Sequence, residues 1–252
     1  MADPATSAAR DRLRREIEHH SKLAPRAEAV WTWSSPSGQA RAGRRASFFV
    51  AHGALGPGSR ALELGCGTGV FLERVSACGA ELLGVDLSPE LLEQAQEKLR
   101  HHPRVRLSRG DIQALPFAPA SFDAVYGSSI LHHVDLDAAL REAYRVLRPG
   151  GRVVFAEPNA WNPQLLVLFH ASISVKERLG FSPDERAFSR WRARRALERA
   201  GFVETSVVPY DFLHPSTPRR LVPVVARLSL ALERVPLVRE IAGSLRLCGR
   251  KP

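Results

Sequence analysis

Short apolar runs alternate with longer amphipathic segments through the middle of this chain. Five runs of strand length lie near residues 60–64, 81–86, 104–108, 121–126 and 151–157. Three segments of helical periodicity lie between them, near residues 69–78, 89–101 and 135–147. Strands separated by helices are typical of a parallel sheet that is covered on both faces. The pattern therefore predicts an α/β fold, and two more strand-like runs follow at 202–209 and 244–250.

The two ends of the chain depart from this alternation. Residues 10–33 predict an amphipathic helical arm, 34–38 a loop, and 39–53 a basic helix that leads into the core. We expect residues 1–53 to form a helical arm or cap on a domain of residues 54–252. Two long insertions, 158–187 and 210–243, carry apolar runs broken by prolines. They are interpreted as a lid over a ligand site or, equally, as extra packing on the sheet.

Composition narrows the class of protein. The chain has 252 residues and is 44% hydrophobic, enough for one large α/β domain or two small ones. Its three cysteines show no C-x-x-C spacing, so we expect free thiols and no metal site. The N-terminus lacks a signal pattern and no run of eighteen apolar residues occurs. These features predict a cytoplasmic protein.

The net charge of +10 permits a nucleic acid, an anionic membrane surface or an acidic substrate as partner. Arginine greatly outnumbers lysine, and the basic residues are spread along predicted helices, which indicates a compositional bias. We therefore expect no nucleic-acid partner. A small-molecule substrate is expected, with contact to a membrane surface or a lipophilic substrate as a further possibility and the oligomeric state open.

The chain from Ala61 to Gly69 reads Ala-Leu-Glu-Leu-Gly-Cys-Gly-Thr-Gly and predicts a strand, a glycine-rich turn and a helix start. Glycine tolerates positive φ and lets a ligand approach the backbone, and N–H groups at a helix start favour an anion. The next strand ends at Asp86, where a ribose diol would be held. The G-x-G-x-G spacing differs from the dinucleotide pattern, because Val70 occupies the position of its third glycine. A nucleoside ligand is the leading hypothesis; a plain turn and a helix-capping Asp86 are the alternatives.

These features, taken in order, resemble the class I S-adenosylmethionine (SAM)-dependent methyltransferases, in the branch of the ubiquinone and menaquinone enzymes. The resemblance is carried by residues 63–69, Asp86, Asp111 and 147–151 and extends over residues 60–158. It implies a Rossmann-like fold: a mostly parallel seven-stranded sheet with helices on both faces and an antiparallel last strand. It also implies that residues 54–252 bind SAM and release S-adenosylhomocysteine (SAH).

The resemblance further implies roles for matching positions. The cofactor contacts it implies are Glu63, Gly65, Cys66, Gly67, Gly69, Asp86, Leu87, Asp111, Ile112 and Ser128. Asp86 would accept hydrogen bonds from the ribose, Asp111 from the adenine amino group, and Ser128 would lie near the methionine end. Many relatives carry a tyrosine in the arm, but this chain has none before Tyr126, so Trp31 or Trp33 would have to cover the donor.

Methyl transfer to an oxygen or acidic carbon needs a base, and histidines are the natural candidates. His132 and His133 follow the fourth strand, His170 lies in the first insertion, and Tyr210 and His214 lie in the second. We expect a lipophilic or aromatic acceptor methylated at oxygen. The alternatives are carbon methylation of a quinone-like ring, a SAM-binding protein without activity, and a basic interaction protein. No metal is predicted, because Asp135 and Asp137 are better explained as helix caps.

The segment after the fourth strand bears on one class of methyltransferase. Enzymes that act on exocyclic base amines usually carry Asn/Asp-Pro-Pro-aromatic there. Here the chain reads Gly-Ser-Ser-Ile at residues 127–130. This difference argues against a nucleic-acid base as the methyl acceptor.

Overall fold

A computed structural model describes residues 14–18, 20–169 and 187–252 of the chain. Seven strands form a single sheet in the order β3-β2-β1-β4-β5-β7-β6. The strands are β1 Arg60–Leu64, β2 Glu81–Asp86, β3 Val105–Arg109, β4 Phe122–Ser128, β5 Leu147–Pro158, β6 Val203–Tyr210 and β7 Ser244–Arg250. Strands β1 to β5 pair in parallel, and β7 runs antiparallel to both β5 and β6. The predicted fold class is confirmed.

Helices connect the strands and cover both faces. The longer ones are Pro36–Gly53, Val70–Val75, Pro89–Leu99, Leu136–Val146, Pro163–Phe169, Arg190–Arg199 and Val222–Leu232. Ala27–Val30 and Pro236–Arg239 are single turns of α-helix, and residues 14–18 and 20–23 are also helical. Short 3₁₀ turns occupy Ala24–Arg26, Ser76–Cys78, Leu131–His133 and Arg219–Leu221. No helix in the described ranges is long and apolar enough to cross a bilayer.

Side-chain caps explain where the main helices begin. The Ser88 hydroxyl accepts a hydrogen bond from the Leu91 N–H, and the Asp135 carboxylate accepts one from the Ala138 N–H at 2.7 Å. Such caps satisfy N–H groups that the first helical turn leaves without partners. The cap at Ser35 starts the next helix at Pro36, three residues earlier than predicted, because Pro36 fits the first helical position.

Alternating residues of the central strands build one core on each face of the sheet. Val125 and Val153 belong to the core under the helices Leu136–Val146 and Arg190–Arg199, whereas Tyr126 and Val154 belong to the opposite core. On that opposite face, Phe49 of the helix Pro36–Gly53 packs with its ring centroid 5.0 Å from that of Tyr126. This packing fixes the helix Pro36–Gly53 beside the carboxyl ends of the strands.

Candidate functional site

A cavity of about 580 Å³ opens at the carboxyl ends of β1, β2 and β4. Its walls come from the loop after β1, the segments after β2 and β4, the N-terminal arm and the helix Pro36–Gly53. This is the edge at which open α/β sheets bind ligands. The predicted second insertion reaches the cavity through Pro215.

Three positions of the loop after β1 have a backbone conformation that favours glycine. Gly65, Gly67 and Gly69 have φ values of +63°, +51° and +79°, in the region that L side chains rarely adopt. A Cβ atom on Gly65 would lie 2.4 Å from the Cδ1 of Ile130. A Cβ on Gly67 would lie 3.3 Å from the ring of Trp31. The loop therefore presents its backbone to the cavity at Gly65 and Gly67, and the Trp31 ring packs over Gly67.

The N-terminal arm is attached to this loop. The Thr68 hydroxyl donates a hydrogen bond to the Glu28 carboxylate at 2.8 Å, and Lys98 forms an ion pair with the same carboxylate. Trp31 and Trp33 both line the cavity. These contacts agree with the expectation that arm tryptophans lie over the ligand site, in place of the tyrosine found in relatives.

Asp86 ends β2 and joins the loop to the next helix. Its Oδ2 accepts a hydrogen bond from the Gly67 N–H at 2.8 Å, and its Oδ1 accepts one from the Ser88 N–H at 3.0 Å. Each carboxylate oxygen carries two lone pairs, so both retain capacity for a ligand hydroxyl. Asp86 also lines the cavity. The cap of the helix Pro89–Leu99 is Ser88 and not Asp86, and the ribose-binding role of Asp86 stays a prediction.

Of the residues predicted to bind the adenine, two line the cavity and one hydrogen-bonds a residue of the lining. Leu87 and Ile112 line the cavity. Asp111 is outside the lining, and its Oδ1 accepts hydrogen bonds from the backbone and side-chain nitrogens of Gln113 at 2.8 and 3.2 Å. Gln113 itself lines the cavity. Asp111 thus orients a neighbour that the sequence analysis did not single out.

Two of the predicted cofactor residues stand behind the loop. Glu63 and Gly69 are outside the cavity lining, whereas Cys66 is buried with part of its surface on the cavity. Burial raises the pKa of Glu63 well above 4.5, and the nearby charge of Asp86 raises it further. Burial likewise raises the pKa of the Cys66 thiol. Burial therefore favours the neutral carboxyl of Glu63 and the protonated thiol of Cys66 by raising the pKa of each group.

Ser128 lies at the end of β4 and accepts a hydrogen bond from Arg45, a residue that the sequence analysis did not single out. Arg45 lines the cavity with an exposure of 2% and donates to the hydroxyls of Ser128 at 2.7 Å and Ser129 at 3.1 Å. It also donates to the Ser244 hydroxyl at 3.0 Å. Within the described ranges Arg45 has no carboxylate partner, whereas Arg41, one turn earlier, pairs with Asp211 at 2.9 Å. Arg45 is a buried, uncompensated positive charge on the cavity wall.

Two of the histidines proposed as bases face the cavity, each beside a carboxylate. His132 Nδ1 lies 2.8 Å from the Glu157 Oε2, and the other Glu157 oxygen accepts from the N–H groups of Ile130 and Leu131. His133 Nδ1 lies 3.1 Å from the Oε2 of Glu16 in the arm. Both histidines line the cavity, as does Glu16. Glu16 and Glu157 were not found from the sequence, because nothing in their local pattern distinguishes them from surface acids.

One group of cavity residues has the composition of a metal site. Ligand atoms of Glu16, His20 and His133 lie within 4.8 Å of one another. The hydrogen bond between Glu16 and His133, together with the 3.6 Å approach of His20 to the same carboxylate oxygen, explains this grouping without an ion. The sequence prediction of a site without metal therefore stays a prediction.

Of the remaining catalytic candidates, the two that the structure describes are not brought to the cavity. Tyr210 is buried outside the lining, with its ring 5.0 Å from that of Phe48 and 5.1 Å from the Arg44 guanidinium. It ends β6 with its side chain toward the helix Pro36–Gly53, and burial raises its pKa. His214 is exposed, and its Nδ1 accepts from the Ser216 N–H at 3.1 Å. His170 lies outside the described residues.

Known proteins share this sequence pattern and this fold. The family model for a methyltransferase domain matches residues 62–155. The 2-phytyl-1,4-naphtoquinone methyltransferase of Thermosynechococcus vestitus is 36% identical over 167 residues, covering 64% of this chain and 65% of the relative. The malonyl-[acyl-carrier protein] O-methyltransferase of Erwinia billingiae is 41% identical over 104 residues, covering 41% and 40%. The chain spans about half the length of the curated relatives that it matches.

Solved structures extend the likeness to nearly the whole chain. A SAM-dependent methyltransferase of Thermotoga maritima, described as a possible histamine N-methyltransferase, has a TM-score of 0.65 at 21% identity. It covers 93% of this chain and 100% of its own. The geranyl diphosphate C-methyltransferase of Streptomyces coelicolor has a TM-score of 0.60 at 22% identity, covering 83% and 79%. With the glycine loop and the strand order, the match over residues 62–155 identifies a methyltransferase domain, and the fold is that of the class I SAM-dependent methyltransferases.

Proposed function

We propose that this protein transfers a methyl group from SAM to a small lipophilic molecule, at an oxygen atom. The observation that carries the proposal is the meeting of three features in one cavity: the bare glycine loop, the Asp86 carboxylate and the uncompensated Arg45. The cavity volume of 580 Å³ lies in the range of about 300–1,000 Å³ common for small-ligand sites.

The residues present fit SAM. Asp86 would accept hydrogen bonds from the ribose diol, while Leu87 and Ile112 would pack against the adenine. Arg45 is the strongest part of the fit, because a buried charge without a partner costs several kcal/mol. A carboxylate supplies that partner, and SAM carries one at its methionine end, where the resemblance puts Ser128. Arg45 and Ser128 would together bind this carboxylate.

When bound, SAM supplies an electrophilic methyl group on a positively charged sulfur. The chain has to align an acceptor with that methyl group and exclude water, which is worth roughly 7–11 kcal/mol of the barrier. Trp31 covers the loop from the arm, and Trp33 adds to the same wall. The arm thus serves as the cover that keeps water from the reacting atoms.

An oxygen acceptor must also lose its proton. His133 is the residue we assign as base, with Glu16 orienting its ring and stabilising the imidazolium that forms when the proton arrives. A base placed in this way contributes about 10²–10⁴-fold in rate. His132 is bound to Glu157, which is itself held by two backbone N–H groups, so that pair serves mainly to position the turn.

The acceptor is inferred from the wall of the cavity and from the relatives. Apolar side chains such as Ile17, Val30, Phe71 and Val134 form much of the wall, which favours a lipophilic ligand. The relatives include a malonyl-[acyl-carrier protein] O-methyltransferase and a 2-phytyl-1,4-naphtoquinone methyltransferase. Carbon methylation of a quinone-like ring is therefore the second candidate, supported by the second of these relatives.

The test is transfer of label from [methyl-³H]SAM to a panel of lipophilic phenols, reduced naphthoquinones and carboxylic acids. We expect labelled product in the organic phase, and carbon-13 chemical shifts of the methyl group distinguish an O-methyl from a C-methyl product. The variant His133→Asn should retain SAH binding while losing transfer. If SAH binds and neither the panel nor a lipid extract accepts label, the protein is a SAM-binding protein without activity.

A further inference from the structure

The C-terminal part of the chain exposes an unusual amount of apolar side chain. We call the set Leu221, Val224, Leu228, Leu230, Val235, Leu237 and Ile241 the C-terminal apolar surface. Their exposed fractions run from 44% at Ile241 to 86% at Leu237. Soluble monomers rarely display extended apolar patches without a binding function. We therefore expect the C-terminal apolar surface to bind a partner.

The helix Val222–Leu232 presents its apolar side chains away from the protein. Ser229 faces inward, where its hydroxyl accepts from the Phe212 N–H at 2.8 Å and donates to Glu233. Glu233 in turn pairs with Arg44 of the helix Pro36–Gly53. Leu221, Val224 and Leu228 recur at helical spacing on the outer side. The helix is thus anchored by polar contacts and exposed along its apolar stripe.

Arginines border this stripe. Arg227 lies in the helix, Arg220 and Arg234 lie in the turns at its two ends, and all three are exposed. None of them has an ion-pair partner within the ranges that the structure describes. The two glutamates of the segment, Glu233 and Glu240, are paired with Arg44 and Arg190. The surface therefore combines exposed apolar side chains with uncompensated positive charge.

Two exposed tryptophans continue the surface toward the cavity. Trp161 and Trp191 are 50% and 41% exposed, and their ring centroids lie 4.7 Å apart. The Asn162 side chain donates to the Ile241 carbonyl at 2.9 Å, which joins this pair to the C-terminal apolar surface. Tryptophan is enriched where an apolar phase meets water. Trp161 follows Pro158, a residue of the cavity wall, by three positions.

We propose that the C-terminal apolar surface docks onto a membrane that contains anionic lipids, with the helix Val222–Leu232 lying in the headgroup region. Apolar side chains flanked by arginines match the interfacial helices that bind such membranes. Eleven residues extend about 16 Å, far less than the roughly 30 Å of a hydrocarbon core, so the helix lies on the bilayer. Docking would bring the cavity to lipophilic acceptors, and that consequence alone rests on the proposed function.

The test is flotation of the full chain with vesicles of phosphatidylcholine, with and without phosphatidylglycerol. We expect the parent protein to float with the anionic vesicles and to be released by high salt. The variant Val224→Asn/Leu228→Asn/Leu237→Asn should stay in solution. The variant Arg220→Gln/Arg227→Gln/Arg234→Gln should partition roughly 100-fold more weakly, since each arginine near an anionic surface contributes about a factor of five. The control Arg100→Gln/Arg106→Gln/Arg141→Gln removes the same charge elsewhere and should float like the parent.

Calorimetry with SAH separates failure of this proposal from failure of the proposed function, because all variants should bind SAH like the parent. Light scattering measures whether the protein forms a dimer, in which a second copy of the chain would occupy the C-terminal apolar surface. A parent protein that remains in solution with anionic vesicles overturns the proposal, as does an apolar variant that floats like the parent. A dimer that the apolar variant dissociates, without vesicle binding by the parent, assigns the surface to self-association instead.

Discussion

Asp86 holds the loop that it faces: its Oδ2 accepts a hydrogen bond from the Gly67 N–H at 2.8 Å. This bond ties the loop after β1 to the carboxyl end of β2, and the Ser88 N–H donates to the other carboxylate oxygen at 3.0 Å. The carboxylate therefore both shapes the cavity wall and presents charge to it. Substitution of Asp86 should therefore affect both the structure of the loop and the binding of a ligand in the cavity.

Asp86→Ala should abolish measurable SAH binding while the protein stays folded, and Asp86→Asn should weaken it less. Hydrogen bonds to a charged acceptor contribute about 1.5–3 kcal/mol each, and asparagine retains one acceptor for the loop. Isothermal titration calorimetry gives the affinities, and circular dichroism checks the fold. Unchanged affinity in Asp86→Ala would remove this residue from the site.

Gly65→Ala should destabilise the protein more than Gly150→Ala. Both positions have positive φ, at +63° and +80°, so both substitutions incur backbone strain of about 1–3 kcal/mol. Only the Gly65 substitution adds a clash, with Ile130 at 2.4 Å, whereas a Cβ at Gly150 meets open space. Urea denaturation measures the difference, and equal losses for the two variants would contradict the tight loop described here.

Arg45→Met should weaken binding of SAH by about 10-fold to 100-fold, in line with about 1.5–3 kcal/mol for a charged hydrogen bond. The same substitution should leave the affinity for 5′-methylthioadenosine unchanged, because that nucleoside lacks the methionine carboxylate. Calorimetry with the two ligands is therefore a direct comparison. If both ligands lose affinity equally, Arg45 supports the loop or an acceptor acid group and does not bind the cofactor carboxylate.

Glu63→Gln should stabilise the protein increasingly as the pH rises. Burial raises the folded-state pKa of Glu63 well above 4.5, so the parent binds a proton that the unfolded chain releases. The contribution of Glu63 to stability is present below about pH 4.5 and is lost as the pH rises toward the folded pKa, by at most about 1.4 kcal/mol per pH unit. Glutamine resembles the neutral carboxyl and does not titrate, so Glu63→Gln does not lose stability at this position as the pH rises.

Urea denaturation at several pH values compares the parent with Glu63→Gln. The exposed Glu93 provides the control Glu93→Gln. Parallel stability curves for the parent and Glu63→Gln would show that Glu63 is ionised in the folded protein.

The sequence was sufficient for the sheet because its signals are local. The bounds of β1, β2 and β7 agree with the apolar runs, and β1 ends before a glycine while β2 ends at an acid. Strand β5 begins earlier than predicted, at Leu147, because that residue already pairs with Phe122 before the Pro-Gly-Gly turn. The glycine loop and Asp86 were found for the same reason: their chemistry is visible in nine consecutive residues and one strand end.

The rest of the site depends on residues that are distant in the chain. Arg45 meets Ser128 across 83 positions, and Glu16 meets His133 across 117. Arg45 is one of several arginines in a basic helix, so its position does not distinguish it from its neighbours. Tyr210 was expected at the ligand edge, but strand alternation turns its side chain toward the helix Pro36–Gly53. Tertiary packing, which a local pattern does not encode, decides these positions.

Calorimetric titration of the full chain with SAH, and separately with NAD⁺, tests most directly whether the cavity is built for a sulfur-containing nucleoside. The structure predicts saturable binding of SAH at one site per chain and no heat of binding with NAD⁺. A chain that ignores SAH, or one that binds NAD⁺ in its place, would contradict this account.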